Sequence, residues 1–236
     1  MWAVVPIKDF TNAKERLSRI LSPSERRALA RIMAEDVLRT LLAVSELEGV
    51  AVITRDAEAQ ELCTGLGARI FTEPRNEGQT VAVVSANRVL KDEGVKDVLT
   101  VPGDVPLVLP RDVRSVVAAH GDAPAMTIVP ARDHRGSNCV VLSPPGCVTL
   151  RFGRNSFYPH LDAAREAGIS PLMIELPNLA LDVDTSDDLD LLMREPTRTC
   201  AQEFLTDAGV PGRFHRWLGG TAARPQGSAV AVGATK

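Results

Sequence analysis

Short apolar runs alternate with longer segments of helical spacing along the first half of the chain. "WAVVPI" (residues 2–7) is valine-rich and gives way to polar residues, the pattern of a buried strand. "SPSERRALARIMAEDVLRTLLAV" predicts a helix over 22–44, with Ser22 as N-cap, Pro23 at the first helical position and Glu25 closing a capping box. Leu29, Ile32, Met33, Val37, Leu41 and Val44 make one apolar stripe on it. Asp36 lies close to that stripe and reads as a carboxylate bonded to a nearby loop, with a functional carboxylate as the competing reading. "VAVIT" (50–54) is a second buried strand, followed by a short helix over 56–66 and a third strand, "ARIFT". "GQTVAVVSANRVLKDEG" predicts a helix ending at Gly94, "DVLTVPGD" a strand entering a loop, and "PRDVRSVVAAHG" a further helix. Strand–helix alternation of this kind predicts a parallel sheet covered on both faces.

The pattern changes after about residue 120. "APAMTIVPA" and "SNCVVLSP" flank the polar turn "RDHRGS" and are expected to pair as antiparallel strands. "SFYPHLDAAREAG" reads as a helix, "PLMIELP" and "NLALDVD" as strands, and "TSDDLDLLM" as a helix capped by Thr185 or Ser186. From Leu218 onward the chain is rich in Gly, Ala and Ser. The expected organisation is one domain over 1–217 and a disordered tail over 218–236. There is no internal repeat.

Composition narrows the class. The 236 residues suit one α/β domain or two very small ones, and 44% hydrophobic with 24% charged residues fits a soluble globular protein with a full core. A net charge of −3 argues against a nucleic-acid-binding face. Cys63, Cys139, Cys147 and Cys200 are scattered without zinc-site spacing, and are expected to be reduced, half-buried thiols of a cytosolic protein. The first residues lack a signal-peptide pattern, and no uncharged apolar run reaches the roughly 18 residues of a membrane span.

Ligands of an open parallel sheet bind beyond the carboxyl ends of its strands. Four polar segments fall at such ends. "PIKDFTNAKERL" holds Lys8, Lys14 and Arg16 within nine residues and suits the oxygens of a triphosphate. It lacks the glycines of a P-loop and the G-x-G-x-x-G fingerprint, and alone it also reads as a solvated basic loop. "VPGDVPL" places Asp104 after a Pro-Gly turn, where turns commonly use Asp. "RGSNCVVLSPPG" and "RFGRNSFYPH" offer Gly136, Ser137, Gly153 and Ser156 as N–H and hydroxyl donors, with Arg135, Arg151 and Arg154 as charge. Ser156 reads as a helix N-cap, and a helix N-terminus attracts anions; ordinary turn and capping chemistry is the competing reading.

The fourth segment is "ALDVDTSDDL". On a strand, Asp182 and Asp184 project from one face, about 6–7 Å apart. Two like charges so placed need something positive between them. With Asp104 they make an oxygen-only site that selects Mg²⁺ or Mn²⁺, so one or two Mg²⁺ ions are expected there; helix capping is the alternative. Asp187 and Asp188 read instead as first-turn residues favoured by the helix dipole. His120, His134, His160 and His215 form no evident triad with Ser or Cys. A phosphate nucleophile needs no base, because its second pKa is about 6. Phosphoryl and nucleotidyl transfer depend on positioning and charge neutralisation, which two metals supply by clamping attacking and leaving oxygens.

"VPIKDFTNAKERLS", "VPGDVPLV", "RGSNCVVLSPPG", "RFGRNSFYPHLDAAREAG" and "LALDVDTSDDLDLL" together resemble the CofC-like guanylyltransferases that activate 2-phospho-L-lactate or phosphoenolpyruvate in assembly of coenzyme F-420. The likeness runs from about Trp2 to Met193. It implies an α/β, Rossmann-like, mostly parallel sheet with helices on both faces, the MobA-like nucleotide-diphospho-sugar transferase fold. It implies condensation of GTP with a small phosphorylated acid and release of pyrophosphate, the product passing to a downstream transferase. Asp104, Asp182 and Asp184 would hold Mg²⁺, with Asp104, Asp184, Lys8 and Lys14 at the chemistry. Ser137, Gly153 and Ser156 would take the acid's phosphate. Lys8, Lys14 and Arg16 would lie near the nucleotide phosphates.

Gly78-Gln79-Thr80 stands where the family often has Gly-Leu-Asn, which places Gln79 and Thr80 beside guanine or the acid. Phosphoenolpyruvate, 3-phosphoglycerate and 2-phospho-L-lactate share a phosphate and a carboxylate on a three-carbon frame, and all three remain open as acceptor. The expected protein is a cytosolic monomer or homodimer with no membrane or nucleic-acid partner. Two other readings use the same residues: another nucleotidyltransferase or metal-dependent glycosyltransferase, and a nucleotide-binding module without turnover. A glycosyltransferase releases a nucleoside diphosphate, and a sensor needs no second anion pocket.

Overall fold

The computed structural model describes residues 1–72, 78–153 and 155–222. Its seven-stranded sheet runs β3-β2-β1-β4-β6-β5-β7. β1 (Trp2–Pro6), β2 (Gly49–Thr54), β3 (Arg69–Thr72) and β4 (Val98–Thr100) are mutually parallel. β6 (Ser137–Ser143) lies antiparallel between β4 and β5 (Ala125–Pro130), as the sequence pattern predicts for these two runs. β7 (Leu172–Met173) adds parallel to β5 at the edge. Strands buried on both faces read as continuous apolar runs, which "WAVVPI" and "GVAVIT" do.

Alternation along β1 assigns the faces. Ala3 and Val5 pack with α1 (Pro23–Leu42), α2 (Ala57–Gly65) and α4 (Pro110–Ala119), whereas Val4 packs with α3 (Gln79–Asp92). α5 (Phe157–Glu166) covers β5 and β6 on the α3 side through Phe157 and Leu161. The capping box of α1 forms as expected: Ser22 accepts from the Glu25 N–H, and Glu25 accepts from the Ser22 N–H at 2.8 Å. Such a cap contributes about 1 kcal/mol.

The outer face of α1 buries Leu29 and Met33 against a second cluster from α7 (Ser186–Arg194), α8 (Cys200–Asp207) and α9 (Val210–Ala222). Each such side chain contributes about 1.5–3 kcal/mol of burial. Asp36 does lie at the flank, and its carboxylate accepts the Cys200 and Ala201 N–H groups at 3.2 and 2.9 Å, so it caps α8. α9 reaches Ala222, so helix continues into the segment expected to be disordered from 218; residues 223–236 lie outside the described residues. Among the described residues no helix is long and apolar enough to cross a membrane. The thiols are all free and more varied than expected: Cys63 and Cys139 are buried, Cys147 is intermediate and Cys200 exposed.

One expected strand is absent. "NLALDVD" forms α6 (Pro177–Ala180) and then an irregular extended segment through Asp184. Its backbone groups are taken up singly rather than by a ladder. The Asn138 amide donates to the carbonyls of Leu179 and Ala180, Arg132 N–H also donates to Ala180, and Val183 N–H donates to the Asp104 carbonyl at 3.0 Å. Leu181 and Val183 still face the α7–α9 cluster, which leaves Asp182 and Asp184 on the opposite side together. β7 is likewise shorter than "PLMIELP" suggests, pairing only two residues.

Candidate active site

The loop after β1 is tied down before it reaches any ligand. Phe10 N–H donates to the Asp56 carboxylate at 2.7 Å, and the other oxygen of Asp56 caps α2. Asp9 accepts from the Thr11 N–H and the Asn12 amide. Lys14 then turns left-handed, φ 54° and ψ 38°, ahead of a single 3-10 turn, Glu15–Leu17, whose Leu17 is buried. That conformation costs a non-glycine residue about 1–2 kcal/mol, so the surroundings must hold it.

They do so by charge. Lys14 Nζ donates to Asp104 Oδ2 and to Asp184 Oδ1, each at 2.7 Å, and its side chain is only 8% exposed. Burial alone would push this ammonium down, but the charges of Asp104 and Asp184 outweigh it and raise it above the ordinary lysine range. Asp184 shows the mirror effect: burial would raise it, yet Lys14, aided by Arg16 and Lys8, holds it below the usual carboxylate value. Lys8 and Arg16 are themselves exposed. Among the described residues, Asp182 has no ion-pair partner. Burial, reinforced by the Asp104 charge, pushes it up to about 6, while the Asn138 amide steadies its Oδ1 at 3.0 Å.

Asp104 Oδ1 is buried without a hydrogen-bond partner. An orphaned carboxylate oxygen beside a raised Asp182, in an all-oxygen donor set, fits a hard divalent cation. Among the described residues, no three His, Cys, Asp or Glu side chains are gathered as a ready cation cage. In the ligand-free chain the positive group between Asp104 and Asp184 is Lys14.

A second cluster lies across β6 and is built without charge. The register of β5 and β6 skips one residue: Val129 faces Cys139 and Pro130 faces Ser137, leaving Asn138 as a bulge. Pro130 has no N–H to lose there. Without the bulge, Ser137 would share the face of Cys139 and Val141; with it, Ser137 turns toward α5. There Ser137 Oγ lies 2.9 Å from His160 Nδ1, and Ser156 Oγ donates to it at 3.2 Å. Ser156 sits at the N-cap of α5 but makes no side-chain cap; its hydroxyl serves Ser137 instead. His160 is fully buried, and its Nε2 accepts the Arg151 N–H at 2.8 Å. Burial pushes its pKa down to about 4, so the ring is neutral at pH 7.

Gly153 is exposed on the same loop, two residues beyond Arg151. Thr80, in the first turn of α3, accepts the Phe152 N–H at 2.9 Å and donates to the Phe152 carbonyl. Its hydroxyl therefore clamps the Ser137 side of the site rather than standing free for a base. Gly78 precedes α3 at φ 92°, and Gln79 follows half-buried. Arg154 lies outside the described residues.

Sequence reasoning located both clusters but missed the residues that shape them. Asn138 bridges them and is visible only as the neighbour of Ser137 in "RGSN". His160 completes no triad in the sequence and so carries no signal of its own there. Lys14 is set apart from Lys8 and Arg16 only by its backbone and burial.

Among solved structures the chain resembles a Desulfovibrio desulfuricans G20 protein described as a nucleotide-diphospho-sugar transferase, at TM-score 0.73 over 92% of this chain and 97% of that one, with 17% identity, and a nucleotidyl transferase of Methanothermobacter thermautotrophicus at TM-score 0.59. The fold is thus that of a nucleotidyl transferase of the nucleotide-diphospho-sugar type. The Conexibacter woesei phosphoenolpyruvate guanylyltransferase is 36% identical over 81% of this chain and 86% of its own length. The Methanothermobacter thermautotrophicus 2-phospho-L-lactate guanylyltransferase is 34% identical over 86% of this chain and 88% of its own length. The Colwellia psychrerythraea 3-phospho-D-glycerate guanylyltransferase is 31% identical over 80% and 89%. The chain belongs to the guanylyl transferase CofC-like family, whose profile matches residues 1–219.

Proposed function

We propose that this chain condenses GTP with a small phosphorylated three-carbon acid and releases pyrophosphate, a step toward coenzyme F-420. The observation that carries this reading is the pair of consecutive residues at the start of β6. Ser137 belongs to a neutral cluster of two hydroxyls and an imidazole, and Asn138, bulged to the other face, anchors the acidic Asp182. Two anion sites of different chemistry thus meet at one strand end, as a two-substrate phosphate reaction requires.

In this reading an oxygen of the acid's phosphate attacks the α-phosphorus of GTP. The new P–O bond forms as the bond to the β-phosphate oxygen breaks, and pyrophosphate leaves with the electron pair. The attacking phosphate is already ionised at neutral pH, so no protein base is needed. Ser137, Ser156 and the Gly153 backbone hold the acid's phosphate in line. Lys8, Lys14 and Arg16 face the triphosphate, Gly78 and Gln79 border the nucleotide side, and Thr80, expected there, instead pins Phe152 on the acid side. Mg²⁺, held by Asp104, Asp182 and Asp184, would supply charge neutralisation for the departing pyrophosphate. Lys14 already balances Asp104 and Asp184, so it is the group free to turn to phosphate oxygens when a cation takes its place.

The relatives' names leave three acceptors: phosphoenolpyruvate, 2-phospho-L-lactate and 3-phosphoglycerate. The test is a pyrophosphate-release assay with GTP and each acid in turn, run beside ATP, CTP and UTP and with Mg²⁺ omitted. Release only with GTP, Mg²⁺ and one of the acids supports the reading. Turnover without an acid, or release of a nucleoside diphosphate, refutes it.

A further inference from the structure

We propose that His160 is a positioning residue that aims the hydroxyl proton of Ser137 into the acceptor pocket. The inference rests on the assignment of Ser137 to the acid's phosphate. His160 lies in the second turn of α5, buried, with the Phe152 ring packed edge-on at 5.0 Å. Its tautomer is fixed by the backbone. Arg151 N–H donates to Nε2, so in the neutral ring the proton must sit on Nδ1. Nδ1–H then donates to Ser137 Oγ at 2.9 Å, and Ser156 O–H donates to the same oxygen at 3.2 Å.

A serine hydroxyl has two lone pairs and one proton. Both lone pairs of Ser137 are now occupied by protein donors. Tetrahedral geometry leaves the remaining direction to its own O–H, for which the described structure supplies no acceptor. A phosphate oxygen is an acceptor only, so this arrangement presents a donor where an anion must land. It also excludes the reverse, in which Ser137 turns its proton inward and shows a lone pair to the phosphate. The same ring holds the loop in place: Arg151 N–H is pinned by His160, and both polar backbone groups of Phe152 are pinned by Thr80. A neutral imidazole thus sets both the polarity of the Ser137 cluster and the position of the loop that carries Gly153.

His160→Phe keeps the ring volume and the contact with Phe152 but removes both nitrogens. The expected result is a KM for the acid raised about ten-fold, the value of one well-placed hydrogen bond to a charged group, with the KM for GTP changed by less than about two-fold. A purely structural role would instead lower kcat and disturb both KM values. A double-mutant cycle with Ser137→Ala makes the test specific. Ser137→Ala alone raises the acid KM, and adding His160→Phe to it changes little further. Equal, additive losses in both backgrounds overturn the inference. If Ser137→Ala raises the acid KM while His160→Phe does not, the inference alone fails; if Ser137→Ala leaves it unchanged, the acceptor assignment fails as well. Should His160→Phe not fold, nitrogen NMR of the imidazoles in the wild-type protein decides. A proton on Nδ1 and a bare Nε2 at pH 7 are expected, and the opposite tautomer or a doubly protonated ring overturns the proposal.

Discussion

The two halves of the candidate site are built in opposite ways. On the Asp182 side, Lys14, Asp104 and Asp184 are full charges held by one another at 2.7 Å, and a buried Asp104 oxygen stays unpartnered. On the Ser137 side, two hydroxyls and a neutral imidazole are linked in a chain and carry no charge. Charges that balance each other exchange partners when a stronger ion arrives. Neutral donors fixed by a backbone N–H have nowhere to go and are ready in advance. Under the proposed function, the charged side takes the triphosphate with its metal and the neutral side takes the small acid.

The charged half should be the more fragile in activity. Asp104→Asn and Asp184→Asn are each expected to fold yet lose about 10²-fold or more in pyrophosphate release, several kcal/mol of transition-state stabilisation. Wild-type turnover in either would break the comparison at once. Lys14→Met should act on stability as well as on turnover, leaving two facing carboxylates without their cation. Removing one partner of a buried pair costs up to 3–5 kcal/mol; with Asp184 half-exposed, about 2 kcal/mol is expected in metal-free urea unfolding. Millimolar Mg²⁺ should narrow that deficit. A deficit indifferent to Mg²⁺ would separate the aspartates from the metal.

The neutral half should show itself in pH. The folded pKa of His160 is depressed to about 4, below its unfolded value of about 6.5, so the unfolded chain binds the extra proton between those limits. Stability from this ring is complete above pH about 6.5 and is lost as pH falls toward 4, about 3 kcal/mol in all. His160→Phe should flatten that part of the unfolding profile; an unchanged slope would remove the buried neutral ring from the account. The smallest effect belongs to Thr80→Val. It frees one Phe152 N–H near the surface, and about 1 kcal/mol of stability and a few-fold rise in acid KM are expected.

Much of this molecule is legible in its sequence because its strands are buried and its helices signal their starts. The Ser22–Glu25 box and the valine runs of β1 and β2 predict elements that form with nearly the same ends. Legibility stops where side chains replace the ladder. "NLALDVD" alternates like a strand, and Asp182 and Asp184 do share a side, but Asn138 takes the carbonyls that a neighbouring strand would have taken. The site followed the same rule. Residue type and position pointed to Lys14, Asp104, Asp182, Asp184, Ser137 and Ser156. Which of them pair, and the part His160 plays, depends on a one-residue bulge and a left-handed lysine that carry no sequence signature of their own.

Phosphorus NMR of the reaction mixture reaches the central claim most directly. With GTP, Mg²⁺ and the accepted acid, the GTP resonances should give way to pyrophosphate and to a new pair of coupled diphosphate signals, one from GMP and one from the acid's phosphate. Appearance of GDP with inorganic phosphate, or pyrophosphate beside free GMP with the acid unchanged, would contradict the joining of two substrates at the start of β6.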